Sequence, residues 1–348
     1  MQLFECSHCG NAVYFDNVFC ASCGCALGYN PLTEKMVSLV SNDEGTYSDP
    51  DVDDKYHYCS NHQYDVCNWI IPDDDPATVC IACSLNRTIP NISNPEYKAR
   101  WKKIEAAKHR LVYALMKWHL PVVSKVSDEQ NGLAFDFKSD DGQRVLTGHA
   151  NGLITMNIEE ADDVEREMAK NNMDEVYRTV LGHFRHEVGH YYWEQLIRDN
   201  PENLEDFRAL FGDDRKDYQQ ALDEHYQNSA PTDWNLHYIS SYATMHPWED
   251  WAETWAHYLH IVDTLETAYS FGVQIKPMVA AKEEHLTTHL DFDPYLEDDF
   301  QKTFDNWLPV SFALNSINRS MGEGDLYPFV INEDVKKKLE FIHRVIRQ

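Results

Sequence analysis

His186 and His190 stand four residues apart in "FRHEVGHYYW", and Glu187 directly follows the first of them. On an α-helix this spacing puts both imidazoles on one face, one turn apart, so that their rings can converge on a single ion. Neutral imidazole is a good zinc ligand. Glu187, about 100° further round the helix, can reach a water at an open position of the metal. These three residues could carry out zinc-assisted hydrolysis, with Glu187 taking the proton from the water. Two histidines leave such a site incomplete, so a third ligand must come from elsewhere in the chain.

The stretch "SYATMHPWEDWAETWAHYLH", starting at Ser241, supplies candidates: Glu249, Asp250, Glu253 and His257. Pro247 suits a first helical position, and Trp248, Trp251, Ala252, Trp255, Leu259 and Val262 form an apolar stripe behind it. Glu249 and Glu253 fall one turn apart on another face. A carboxylate at Glu249 would complete a set of two histidines and a glutamate, leaving one position for water. Glu253 could then accept the N–H of a ligating histidine and fix its tautomer.

All nine cysteines lie in the first 83 residues. Cys6 and Cys9, then Cys20 and Cys23, are C-x2-C pairs, each followed by a glycine. Two such knuckles supply the four thiolates of a structural zinc site. Cys59, Cys67, Cys80 and Cys83 form a looser second set, in which His62 competes as a ligand. Cys25 is left over. The expected cofactors are therefore one catalytic and two structural Zn2+.

The balance of 30 basic and 58 acidic residues, a net charge of -28, repels phosphate backbones and anionic lipid surfaces. Residues 1–90 hold Lys35, Lys55 and Arg87 against thirteen acids, so the cysteine modules are expected to contact a protein partner or be purely structural, and not to bind nucleic acid. "MQLFECSHCG" has neither the charged n-region nor the apolar h-region of a signal peptide, and no apolar run has membrane-spanning length, which makes a cytoplasmic location and no membrane association the expectation.

The elements follow from periodicity. Pro95 to Trp118 reads as an amphipathic helix, with Lys98, Arg100, Lys102, Lys103, Lys108 and Arg110 on a solvated basic face. "LAFDFK", "RVLTGH" and "LITMNI", joined by Asp-Gly and Asn-Gly turn signals, read as a three-stranded antiparallel meander. "LITMNI" is the expected edge for an extended substrate. Tyr177, Val180, Leu181, Phe184, Val188, Tyr191 and Leu196 form the buried stripe of the histidine helix. Gly189, costly inside a helix, implies a closely packed neighbour. A final helix is expected to be capped near Asn332. His285, His289 and His343 lack ligand spacing, and His183 is expected beside the site or facing solvent.

The histidine helix followed by a helix with E-x3-E resembles the gluzincins. "YATMHPWEDWAE" resembles their lethal-factor-like branch, in which a tyrosine precedes the ligand glutamate by seven residues. Those positions are Tyr242 and Glu249 here. Over nearly its full length, through "CNWIIP", "LNRTIP", "RHEVGHYYW" and "HPWEDWAETWAHYL", the chain is similar to bacterial zinc-binding metallopeptidases with an N-terminal zinc ribbon. One departure is Glu253, where many gluzincins carry aspartate.

The resemblance, with the cysteine spacing, the acidic stretch between the cysteine sets and the turn signals, implies an α+β chain: a zinc ribbon over 1–30, an acidic linker over 31–55, a second cysteine module over 56–90, and a zincin-like, mainly helical domain over 91–348 with a small antiparallel sheet. It also implies a catalytic zinc on His186, His190 and Glu249, peptide or protein substrates, and Tyr242 as hydrogen-bond donor to the developing oxyanion. Two other readings remain open: an inert zinc-ribbon scaffold for protein interaction, and a zinc hydrolase of non-peptide amides.

Overall fold

The computed structural model describes residues 2–42, 45–52, 54–142, 144–162, 179–228, 230–279 and 286–348. The chain divides into two units. The first comprises Met1–Met116, Pro121–Thr147 and Leu153–Ala161, and the second Lys117–Leu120, Gly148–Gly152 and Asp162–Gln348.

In the first unit, β1 (Phe4–Glu5) and β2 (Ala12–Val13) pair antiparallel around the first cysteine pair. Gly10 and Gly24 adopt positive φ, 69° and 77°, and their N–H groups close onto the carbonyls of Cys6 and Cys20, each at 2.9 Å. Glycine takes this left-handed turn without steric cost, which is why one follows each C-x2-C pair. An antiparallel sheet follows in the order β3 (Ala26–Asn30), β4 (Lys35–Ser41), β5 (Tyr47–Ser48), β6 (Lys55–Tyr58), β7 (Ile70–Pro72). Its first and last strands meet where the Tyr29 N–H bonds the Asn68 carbonyl at 2.9 Å. The expected linker over 31–55 is therefore corrected: Met36, Val37 and Leu39 are buried in β4, and a short turn-rich segment leads into β5 and β6.

Two helices follow, α1 (Ile81–Ser84) and α2 (Pro95–Lys117), with β8 (Asn86–Thr88) between them. Along α2, Trp101, Ile104, Leu111 and Leu115 are buried, and Tyr113 packs edge-on against Phe15 at 5.4 Å. The solvated basic face is corrected at Lys108, which is fully buried and pairs with the equally buried Glu105 at 2.8 Å. The antiparallel meander is corrected in part: Asn151 and Gly152, both at positive φ (49° and 75°), make the tight turn expected there, but the first and last runs pair in parallel. β9 (Ala134–Lys138) and β11 (Leu153–Asn157) pair in parallel, from Leu153 opposite Ala134 to Asn157 opposite Lys138, and β8 joins β9 in parallel. Phe135, Phe137, Ile154 and Met156 are buried; packing them outweighs the hairpin preference of the Asp-Gly signal.

The second unit is helical: α3 (Val180–Leu196), α4 (Pro201–Phe211), α5 (Tyr218–Gln227), α6 (Pro247–Ser270), α7 (Phe300–Ser320) and α8 (Glu333–Ile346). β12 (Gln274–Ile275) and β13 (Thr288–His289) pair antiparallel. The Thr179 hydroxyl caps α3 by accepting from Gly182 N–H at 2.9 Å. The His246 ring caps α6 by accepting from Trp248 N–H at 3.1 Å, with Pro247 in the first turn. Asn332 caps α8 through Val335 N–H at 2.9 Å, as expected. α3 packs along α6, where Tyr192 stacks on Trp255 at 5.2 Å. Gly189 is the closest approach: a Cβ there would lie 3.1 Å from the Ala252 Cα and 3.2 Å from the Trp255 ring. The close-packed neighbour implied by this glycine is α6. β10 (Gly148–Ala150) packs on α3 and is a strand of this unit that lies against the histidine helix. Tyr177 and His285 lie outside the described residues. Among the described residues, no helix is long and apolar enough to cross a membrane.

Candidate metal centres

The sulfurs of Cys6, Cys9, Cys20 and Cys23 lie within 4.8 Å of one another. Cys6 and Cys23, and likewise Cys9 and Cys20, are 3.7 Å apart. Four thiolates at about 2.3 Å from a tetrahedral zinc would be separated by about 3.8 Å, whereas a disulfide requires about 2.05 Å. All nine cysteines are free. The Ser38 hydroxyl reaches the Cys6 sulfur at 3.0 Å.

Cys59, Cys67, Cys80 and Cys83 form a second set, all buried, with Cys67 and Cys80 3.7 Å apart. Cys59 leads into a short 3-10 turn over Ser60–Tyr64, and Cys80 leads into α1. His62 is engaged elsewhere: its Nδ1 meets the Cys67 carbonyl at 2.8 Å, and its ring stacks on Tyr58 at 3.8 Å. The histidine that does face the sulfurs is His109 of α2. Its Nδ1–H goes to the Glu105 carbonyl at 2.6 Å, and its Nε2 lies 3.3 Å from Cys67 Sγ and 3.8 Å from Cys83 Sγ. Position along the amphipathic pattern marks His109 as inward-facing but does not say against what.

The third cluster is His186, His190 and Glu249. The Nε2 atoms of the two histidines are 3.2 Å apart. Glu249 Oε2 lies 3.0 Å from His186 Nε2, and Oε1 lies 3.4 Å from His190 Nε2. Glu249 is 1% exposed, and its Oε2 has no hydrogen-bond partner. On the far side of the ring, His186 Nδ1 is 2.7 Å from Glu253 Oε1. A carboxylate can only accept, so Nδ1 carries the hydrogen and the neutral ring presents a lone pair at Nε2. Lone pairs therefore converge from α3 and α6 on one point, an arrangement that a cation satisfies. The residues fit zinc.

Charge balance points the same way. Burial pulls His186 down, but Glu249 and Glu253 outweigh it and hold the imidazole well above the ordinary histidine range. Burial pushes Glu249 up, yet His190 and His186 keep its carboxyl well below its usual range. A buried carboxylate pair around these rings demands positive charge, which a metal ion supplies as readily as a proton.

Glu187 projects beside the cluster, with His183 Nε2 at 3.2 Å from its Oε1. Burial raises Glu187, but His183 and the two histidines of the cluster outweigh it, so the group is an ionised carboxylate. His183, expected beside the site or facing solvent, is thus a partner of Glu187. Tyr242 opens a 3-10 turn over Tyr242–Thr244, and its ring lies 6.1 Å from that of His186. Burial, then Glu249, push the phenol far above its ordinary range and keep it protonated. Asp250 belongs to the core, bound to Lys338 at 2.6 Å. His257 faces away toward Tyr327, 2.9 Å from its hydroxyl.

One neighbour escaped the motif reading. Tyr218, the first residue of α5, donates its hydroxyl to Glu249 Oε1 at 2.9 Å. Nothing in the polar stretch around it marks this tyrosine, because its partner is 31 residues away in sequence.

Residues 97–345 match the family described as "Putative zinc-binding metallo-peptidase", and residues 3–94 match a zinc-ribbon domain family. The chain is 43% identical over 346 residues to uncharacterized proteins of Mycobacterium bovis and Mycobacterium tuberculosis, covering 99% of this chain and 95% of theirs. No solved structure matches. The chain belongs to the zinc-binding metallopeptidase family that these matches define, with a zinc-ribbon region ahead of a mainly helical α+β domain.

Proposed function

We propose that the chain is a peptidase whose catalytic zinc is held by His186, His190 and Glu249, with structural zincs on Cys6, Cys9, Cys20 and Cys23 and on Cys59, Cys67, Cys80 and Cys83. The observation that carries this reading is the meeting of two imidazole lone pairs and one buried carboxylate oxygen, with an ionised carboxylate beside them. Zinc bound there would polarise a scissile carbonyl and make a water acidic enough to give up a proton near neutral pH.

The chain's own residues supply the rest. Glu187 accepts the water's proton and later delivers it to the leaving amine, while His183 holds its carboxylate in place. Tyr242, kept protonated by burial and by Glu249, donates a hydrogen bond to the oxygen on which charge develops. Glu253 holds the His186 ring in the tautomer that ligates. β10, packed on α3, is the backbone against which an extended substrate would lie. The cysteine modules serve as folding staples and as a surface for a protein partner. Eight zinc-holding cysteines and a spare Cys25, with no disulfide among them, suit a reducing compartment, which favours the cytoplasm.

The test is Glu187→Gln. The variant should retain all its zinc and lose hydrolysis of unfolded protein or of a peptide library. Peptide turnover unchanged by this substitution would reject Glu187 as the base. No turnover in the unaltered chain on any peptide, with hydrolysis of small amides, would move the activity to non-peptide substrates; no hydrolysis at all would leave a binding scaffold.

A further inference from the structure

Glu249 has two oxygens, and the structure treats them differently. Oε1 accepts the Tyr218 hydroxyl at 2.9 Å and lies 3.4 Å from His190 Nε2, while Oε2 accepts no hydrogen bond and faces His186 Nε2 at 3.0 Å. The Tyr218 ring is fixed by its surroundings, 5.4 Å from His246 and 6.2 Å from Trp248. These are the capping residue and the first turn of the helix that carries Glu249. The remainder of α5 contributes no buried residue, so the bond to Glu249 is not a by-product of a helix packed there by an apolar face.

We propose that Tyr218 is a positioning residue for the metal centre: by donating to Oε1 of Glu249 it favours Oε2 as the oxygen that meets the cation. The inference rests on the reading that His186, His190 and Glu249 hold zinc. A carboxylate binding through both oxygens takes two places around the ion, and a zinc with three protein ligands needs its fourth place for water. A hydrogen bond to one oxygen biases the group toward one-oxygen ligation and fixes the direction of the other. Bonds of this kind to a ligand typically hold about 10- to 100-fold in metal affinity.

The experiment uses the full chain, equilibrated against a series of chelator-buffered free zinc concentrations, with zinc counted per chain and thermal melts recorded in parallel. Tyr218→Phe keeps the ring and removes only the hydroxyl. The zinc not held by cysteines should leave this variant at about 10- to 100-fold higher free zinc than it leaves the unaltered chain, with the cysteine-held zinc unchanged. Should Tyr218→Phe fold poorly, Tyr218→Leu carries the same comparison. A lower melting temperature with unchanged zinc affinity would assign Tyr218 to anchoring α5 only, and overturn the proposal. Glu249→Gln separates the two levels: if it binds this zinc as tightly as the unaltered chain, the ligand set itself is wrong and the proposal falls with it. If Glu249→Gln loses the zinc and Tyr218→Phe does not, only the role of Tyr218 is rejected.

Discussion

The Nδ1 of His186 lies 2.7 Å from Oε1 of Glu253, one helical turn beyond Glu249 on α6. A single helix thus addresses both nitrogens of one imidazole, with Glu249 at Nε2 and Glu253 at Nδ1. Removing Glu253 would free the ring to rotate and to adopt the other tautomer. Glu253→Ala is expected to weaken zinc binding at this centre about 10- to 100-fold. Glu253→Gln, which keeps an accepting oxygen, should lose less. Chelator competition measures both, and equal affinity in Glu253→Ala and the unaltered chain would remove Glu253 from the centre.

Gly189 sets how closely α3 and α6 approach. Alanine there gains about 1 kcal/mol of helix propensity, but its Cβ would meet the Ala252 Cα at 3.1 Å, a backbone atom that cannot yield without the helix moving. Overpacking of this kind costs about 1–3 kcal/mol, so Gly189→Ala should be net destabilising. Because Trp251 Nε1–H also bonds the Gly189 carbonyl at 2.8 Å, the shift reaches the residues flanking Glu249. A denaturant titration checks the sign; a stabilised variant would mean that α6 can give way.

His343 links stability to acid. Its Nε2–H donates to the Asp298 carbonyl and its Nδ1 accepts from the Tyr258 hydroxyl, both at 2.9 Å, while Arg347 donates to that same hydroxyl at 2.7 Å. A second proton on the ring would face a hydroxyl whose hydrogen already points at it. Burial first, then Arg347, lower His343 to about 4 from its usual 6.5. For a base held neutral in the fold, the unfolded chain binds the extra proton first. The fold therefore loses nothing above pH 6.5, loses stability as pH falls below it, and levels off near 4. Between pH 6.5 and 5 the loss from this group is about 2 kcal/mol. His343→Gln, which can still donate to Asp298, should flatten the pH dependence by that amount. Comparing the two proteins cancels the acid sensitivity of the cysteine sites, which they share, and parallel pH profiles would reject the effect.

What could be read from sequence was what local spacing encodes. The i, i+4 histidines, the C-x2-C-Gly knuckles, Pro247 at a helix start and Asn332 at a cap each act within one turn of chain, and each appears where its spacing put it. Gly189 was legible by its cost alone. Strand pairing was legible only in part: Asn151-Gly152 makes its tight turn, but the parallel register of β9 and β11 is chosen by Phe135, Phe137, Ile154 and Met156 finding one core. The stretch over 31–55 hid strands because its acidic, turn-rich second part, with only Tyr47 and Val52 apolar over 41–55, masked the apolar run Met36–Val40 of β4. Tyr218, His109 and Lys108 were beyond reach for a common reason. Each is defined by a partner on another element, and no periodicity within its own helix reports that partner.

Lys108 gives the sharpest energetic case. It and Glu105 are fully buried on α2, 2.8 Å apart. Glu105 also accepts from Trp101 Nε1–H at 2.9 Å and from the Asn86 amide at 2.5 Å, while Lys108 donates to the same Asn86 side chain. Burial drives the lysine's pKa down, but Glu105 and the nearby Cys83 outweigh it, so the ammonium is retained. Glu105→Gln would keep the bond from Trp101 and leave that charge without its counter-ion, at a cost of about 3–5 kcal/mol. Lys108→Met strands the carboxylate instead and should cost a similar amount. The double variant removes both charges together and should be more stable than either single one, because an apolar replacement of a whole buried pair avoids its desolvation penalty. Urea unfolding of the four proteins, at equal zinc content, closes the cycle; additive costs in the double variant would show that the two side chains are not coupled.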